Sequence, residues 1–206
     1  LGLELIRGDY LLFVDSDNYL DADYVEQLYS KLTETNADIA YCDLFNPEKE
    51  EFYLKSREFD LTAFLNASFI DNCSLIRRSI IGNARYDEML NRKKLEDYDF
   101  LLNLIINNGA KAVYQPSTKL NYRVFETGSI SGRDSVRYHY EIYLDILEKY
   151  LDKLPHEIYK AVCENLMVLE ERLDSLLKHH DDVTDYVNRL KKERDQLERR
   201  KYTQKQ

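Results

Sequence analysis

Hydrophobic positions fall first into short continuous runs and then, from about residue 134, into helical stripes. Tyr10 to Val14 is an unbroken apolar run that reads as a strand buried on both faces, and it stops abruptly at Asp15-Ser16-Asp17. Leu1 to Ile6 reads as the end of a helix, with Gly8 turning the chain into that strand. Beyond the two acids, Asp21 is a candidate N-cap, and Val25, Leu28, Tyr29 and Leu32 mark one helical face. Ile39 to Cys42 predicts a second strand, a polar loop from Asn46 to Glu51 follows, and Leu61 to Asn66 predicts a short helix. Asn72 to Ile76 reads as a third strand ending at Arg77-Arg78. Tyr98, Leu101, Leu102, Ile105 and Ile106 have helical spacing, which puts Asp97 in a first turn and Gly109 just past the helix end. Lys111 to Tyr114 and Leu120 to Val124 predict two short strands around Pro116, before a Gly/Ser-rich loop from Thr127 to Gly132.

The second part is helical throughout. Val136, Tyr140, Tyr143, Leu147 and Leu151 form a stripe that Pro155 breaks or restarts. From Val162 a 3-4 alternation runs through Leu166, Leu169, Leu173, Leu176, His180, Val183, Val187, Leu190, Arg194 and Leu197, a heptad seam with two polar interruptions. Such a seam serves either a homo-oligomer or an antiparallel hairpin turning at His179 to Asp182. The pattern predicts an α/β body followed by an all-α C-terminal extension.

Composition narrows the partners. With 44% hydrophobic residues, the 206-residue chain has enough apolar material for a core, and its net charge of −9 argues against a nucleic-acid binder. That charge is uneven: residues 188–206 carry a net +5, leaving −14 for residues 1–187. The basic end is a solvated helix face or a contact for anionic lipid. Cys42, Cys73 and Cys163 are too few and too far apart for a zinc motif, and no apolar run reaches membrane-spanning length. These features predict a cytoplasmic protein, free or peripheral to the inner face of a membrane. The first predicted strand lies so close to Leu1 that further sequence is expected upstream.

Three sets of residues are candidates for chemistry. Asp15 and Asp17 offer hard oxygen ligands at a strand end, suited to Mg²⁺ or Mn²⁺, though such a triplet also makes an ordinary strand-to-helix turn. Glu96-Asp97-Tyr98-Asp99 crowds three carboxylates, which raises a pKa while the helix N-terminus opposes the rise; the result is a candidate general base or plain helix-end decoration. Arg123, after Tyr122 and ahead of Ser129 and Ser131, offers a planar fork for phosphate or a surface ion pair.

The order of these motifs resembles that of the inverting nucleotide-sugar glycosyltransferases of the GT-A fold, family 2. The likeness begins at Gly8-Asp9-Tyr10 through Val14-Asp15-Ser16-Asp17-Asn18 and continues through Leu75-Ile76-Arg77-Arg78, Tyr86-Asp87-Glu88 and Glu96-Asp97-Tyr98-Asp99-Phe100. It ends with Gly109, Pro116, Tyr122-Arg123 and Gly128-Ser129-Ile130-Ser131. It implies a truncated GT-A (Rossmann-like) mixed sheet with flanking helices over residues 1–132, lacking the N-terminal nucleotide-binding half, and a helical extension over 133–206. By the same resemblance Asp17, with Asp15, holds Mn²⁺ or Mg²⁺ against the diphosphate of a nucleotide-sugar donor, and Asp15 approaches the ribose. Asp97 deprotonates a hydroxyl of a glycan or lipid-linked acceptor, Glu96 orients that acceptor, Asn72 lines its side, and Arg123 holds the diphosphate. Phe125 stands where relatives often have a histidine. The implied setting is cell-surface polysaccharide or glycan synthesis. Two rivals are a Mg²⁺-dependent phosphotransferase or phosphatase with Asp15 as nucleophile, and a non-catalytic oligomerisation module.

Overall fold

The chain is described from a computed structural model that covers residues 2–91, 93–124 and 136–171, with isolated positions 174, 175, 178, 184, 188, 191 and 192. The elements, in order, are α1 (Gly2–Leu5), β1 (Tyr10–Leu12), β2 (Tyr19–Leu20), α2 (Tyr24–Thr35), β3 (Ile39–Asn46), β4 (Glu51–Leu54), α3 (Leu61–Asn66), β5 (Leu75–Arg77) and α4 (Arg78–Ile81). After a 3-10 turn at Glu88–Leu90 come α5 (Glu96–Leu102), a π turn (Asn103–Asn107), β6 (Ala112–Asn121) and α6 (Val136–Glu148). Residues 156–171 are again helical.

The strands form one mixed sheet in the order β1-β5-β3-β6-β2, with β4 beside the far end of β3. Every pairing is antiparallel except β3 with β6. Strand β3 is the axis. Alternation along it sends Ala40, Cys42 and Leu44 to one face, where Tyr24, Leu28 and Leu32 of α2 pack with Leu75 and Leu120. Ile39 and Tyr41 point to the other face. There Phe69 approaches Tyr41, with ring centroids 6.0 Å apart, and Phe64 of α3 meets Phe69 at 5.4 Å and Tyr98 of α5 at 5.2 Å. The sheet thus separates α2 from the helix that carries Glu96 and Asp97.

Several sequence expectations need correction. The run from Tyr10 to Val14 is not a strand buried on both faces. It is a three-residue edge strand of half-buried residues, and Val14 is 49% exposed. Five apolar residues in a row met the pattern of a central strand, but the chain leaves the ladder after Leu12 so that Phe13 can pack edge-on against Tyr86 and Phe100. On α2 the buried stripe is Tyr24, Leu28 and Leu32, while Val25 and Tyr29 are about half exposed. The N-cap position is Asp23, and Asp21 instead accepts a hydrogen bond from Asn121 Nδ2 at 2.8 Å. The polar loop ends in β4, a hairpin partner that the acidic composition concealed. The strand placed at Asn72 starts only at Leu75. The two strands around Pro116 are one, β6: Tyr41 pairs with Tyr114 and Asp43 with Lys119, so Gln115 to Thr118 bulge where proline cannot join a ladder.

Helix α3 matches its expected bounds, and Asp60 caps it by accepting from Ala63 N at 2.7 Å. Gly109, at φ +72°, occupies the left-handed position expected after the α5–π segment. By packing, one compact unit runs from Leu1 to Tyr159, taking in α6, and a second comprises Lys160–Gln206. The family resemblance ends at residue 132, well inside the first of these. His179 to Asp182 and the loop with Ser129 and Ser131 lie outside the described residues.

Candidate active site

Asp15 and Asp17 sit on the turn that leaves β1. Asn18 closes it: its backbone N–H donates to the Asp15 carbonyl at 3.1 Å and its Nδ2 lies 3.5 Å from Asp15 Oδ2. Asn18 Oδ1 also accepts from the backbone N–H of Arg123 at 3.1 Å, so one side chain joins the acidic turn to the Tyr122-Arg123 segment 105 positions later. Tyr122 in turn donates its N–H to the Phe45 carbonyl at 2.8 Å and stacks on Tyr53 of β4, centroids 4.8 Å apart. The Arg123 guanidinium approaches Glu48 at 3.7 Å. Burial, then Tyr53, then the charges of Asp71, Asp15 and Asp17 push the Tyr122 hydroxyl up to about 12, which places it in the same electrostatic neighbourhood as those acids.

Asp97 occupies the first turn of α5, next to Glu96. Burial pushes its carboxyl up to about 6, a hydrogen bond from the Tyr98 N–H opposes the rise, and the negative charges of Asp71 and Glu96 add to it. The crowding of acids read from the sequence is therefore real, but desolvation is the larger cause. Leu95, just ahead of Glu96, holds φ at +66°, a costly conformation for a leucine, at the start of this helix.

Asp71 is the residue that the sequence reading missed. It lies in a turn, just ahead of the strand expected from Asn72, where its Oδ1 accepts from Cys73 N at 2.8 Å. Burial holds its carboxyl above the usual range and the charge of Asp15 adds to this, while bonds from Cys73 pull the other way. Asp71 thus connects the strand-end acids to Asp97. The Asp-Asn pair ahead of the apolar run Leu75-Ile76 was the available signal, because such pairs favour turns over strands.

Asn72 accepts from the Tyr86 hydroxyl at 3.0 Å, and the Tyr86 ring stacks on Phe100 at 4.6 Å. Beside them opens a cavity of about 480 Å³ lined by Phe13, Arg85, Tyr86, Asp87, Asn91 and Glu96, among others. The fold therefore brings Asp15, Asp97 and Glu96 into one acidic neighbourhood with Asp71, ties Arg123 to it through Asn18, and sets Glu96 on the cavity wall, with Asn72 bonded to Tyr86 of that wall.

Among the described residues no three His, Cys, Asp or Glu side chains form a complete metal-binding group. The donor set still fits a hard cation. Burial, and then the charge of Asp17, raise the Asp15 carboxyl, a rise that a cation held between the two would oppose. Mg²⁺ and Mn²⁺ commonly take only one or two carboxylates, with waters and substrate phosphates completing the shell.

Residues 1–98 match the family model described as glycosyl transferase family 2. Glycosyltransferase GlyA of Streptococcus pneumoniae is 35% identical over 75 residues, covering 34% of this chain and 11% of that protein. An uncharacterised glycosyltransferase of Haemophilus influenzae is 31% identical over 111 residues, covering 51% of this chain and 42% of that one. The chain thus spans less than half the length of either relative. Among solved structures, residues 1–349 of S. aureus TarS resemble it with a TM-score of 0.55 at 16% identity, over 80% of this chain and 48% of that one. The same TarS segment in complex with UDP-GlcNAc gives a TM-score of 0.57 at 14% identity, over 80% and 49%. At such identity the likeness is one of fold.

Proposed function

On the premise that this is a family 2-like glycosyltransferase chain of GT-A fold, matched to the family over residues 1–98, we propose that it transfers a sugar from a nucleoside-diphosphate donor to an acceptor hydroxyl with inversion. The observation that carries the reading is Asp97: a partly buried carboxyl raised to about 6, in the first turn of a helix beside a cavity. A base of that pKa is ionised at neutral pH yet strong enough to take a proton in the transition state.

The acceptor hydroxyl gives its proton to the Asp97 carboxylate as its oxygen attacks the anomeric carbon. The bond from that carbon to the diphosphate oxygen breaks on the opposite face, its electron pair leaves with the nucleoside diphosphate, and the configuration inverts. Glu96, on the cavity wall, orients the acceptor, and Asn72 holds Tyr86 on that same side. Asp17 and Asp15 would hold Mn²⁺ or Mg²⁺ together with the donor diphosphate, which neutralises charge on the leaving group. Arg123 contributes its guanidinium to the diphosphate, exchanging Glu48 for phosphate. A role in surface glycan synthesis is the setting we favour.

The test is to incubate the intact protein with Mn²⁺ and a panel of nucleotide sugars and follow nucleoside diphosphate release. Release that needs an acceptor and is lost in Asp97→Asn and Asp17→Asn supports the reading. An aspartyl-phosphate trapped on Asp15 overturns it in favour of phosphoryl transfer.

A further inference from the structure

The helix that carries Asp97 is gripped from behind by residues beyond the family match. Asp99, two places after Asp97, has a side chain only 5% exposed, and its Oδ1 lies 3.2 Å from Lys149 Nζ. The Tyr150 hydroxyl lies 2.9 Å from the same oxygen and 3.0 Å from the Asp99 carbonyl, so its one proton serves both. Lys149 also pairs with Asp87, which lines the cavity beside Glu96. Directly after Asp97, the Tyr98 ring stacks on Tyr143 of α6 at 5.9 Å. The Tyr98 hydroxyl donates to the carbonyls of Phe64 and Leu65, and the Tyr143 hydroxyl also donates to Leu65. The two residues that follow Asp97, Tyr98 and Asp99, are therefore both anchored by residues 143–150.

We propose that Lys149 and Tyr150 are positioning residues for the Asp97 base, fixing the first turn of α5 against the Asp87 wall of the acceptor cavity. One ammonium shared by Asp87 and Asp99 sets the separation of two elements that have no covalent reason to hold it: the loop before the 3-10 turn and the base helix. Tyr150 fixes the helix about its axis, because it binds both the side chain and the main chain of one residue. Proton transfer at the moment of attack tolerates little misplacement, and a shift of about 1 Å can cost about 100-fold in rate. The inference rests on Asp97 being the base.

In the intact protein, Tyr150→Phe, Lys149→Met and Lys149→Arg are compared for kcat, donor KM, melting temperature and hydrogen exchange over residues 96–100. Tyr150→Phe and Lys149→Met are expected to lower kcat by about 10- to 100-fold, leave donor KM within about twofold and speed exchange at 96–100. Lys149→Arg, which can still span both carboxylates, is expected to recover most of the loss. Wild-type kcat in both Tyr150→Phe and Lys149→Met, even with a lowered melting temperature, would reduce the contacts to structural support and overturn the proposal. So would unchanged exchange at 96–100. Failure of the base assignment is read separately: Asp97→Asn with wild-type kcat would remove it, while the exchange data would still report whether α5 is held.

Discussion

As the proposed base, Asp97 puts chemistry and stability in opposition. Its carboxyl is raised by the fold from the ordinary 3.8 to about 6, so the folded protein binds its proton more tightly than the unfolded chain does. For a carboxyl raised in this way, the stabilisation is fully present below the unfolded pKa and is lost as pH rises through about 6. At neutral pH the ionised form therefore costs about 3 kcal/mol, from a shift of about two units. Asp97→Asn is expected to abolish transfer, by at least about 100-fold, while raising the melting temperature at pH 7 to 8. Across pH 4 to 6 the wild-type melting temperature should fall relative to that of the variant, a comparison that thermal melts in a pH series will make. On the proposed mechanism the rate of transfer should rise with pH through a midpoint near 6, because only the ionised carboxylate would accept the proton.

How much of this was legible at the residue scale depends on sequence distance. Glu96-Asp97 and Asp15-Ser16-Asp17 stood out because each cluster is local. Asp71 did not, because what singles it out is proximity to Asp15 and Asp97, residues 56 and 26 positions away. Asn18 was visible as a turn residue, but its bond to Arg123 exists only once β6 has brought that segment back.

Among elements, the short α3 does more than its size suggests. Its last turn presents the Phe64 and Leu65 carbonyls to Tyr98 and Tyr143, so it supports the α5 side of the site. Its hold depends on one cap. Asp60→Ala should destabilise the protein by about 1 kcal/mol, read as a shift in urea midpoint with an unchanged slope. On the opposite face, Leu28→Ala removes a fully buried side chain from the α2 stripe and should cost about 2–5 kcal/mol in the same measurement. These helices were readable because 3.6-residue periodicity needs no partner. Strands β1, β4 and β5 are three or four residues long, too short for alternation to declare itself, and their limits are set by where the neighbouring strand runs out.

At the scale of the whole molecule, the two compact units invite separate assays. Among the described residues no helix is long and apolar enough to cross a membrane. We expect the heptad seam to drive self-association, so that a chain ending at Tyr159 loses it while keeping the α5 and α6 contacts. Sedimentation of the two lengths will decide this, and an unchanged mass would assign the seam to folding back within one chain. The α/β body with helices to follow was legible from the change of period. The reach of the first unit was not. The stripe of α6 shows that the helix has a buried face, but the partners of Tyr143 on it and of Lys149 and Tyr150 just past it are Leu65, Tyr98, Asp87 and Asp99, and no local pattern names them.

Strand β6 is the last of the described strands to be made, yet it lies between β3 and β2. A ribosome therefore releases the axis of the sheet long before its parallel neighbour exists, and the edge of β3 must wait, unpaired, through the synthesis of α3, β5 and α5. The acidic turn at Asp15 waits as well, since the backbone that Asn18 grasps arrives with Arg123. Folding here cannot proceed from one end of the chain to the other. The site closes late, and a polypeptide halted anywhere before residue 121 emerges with an open sheet for chaperones to shield.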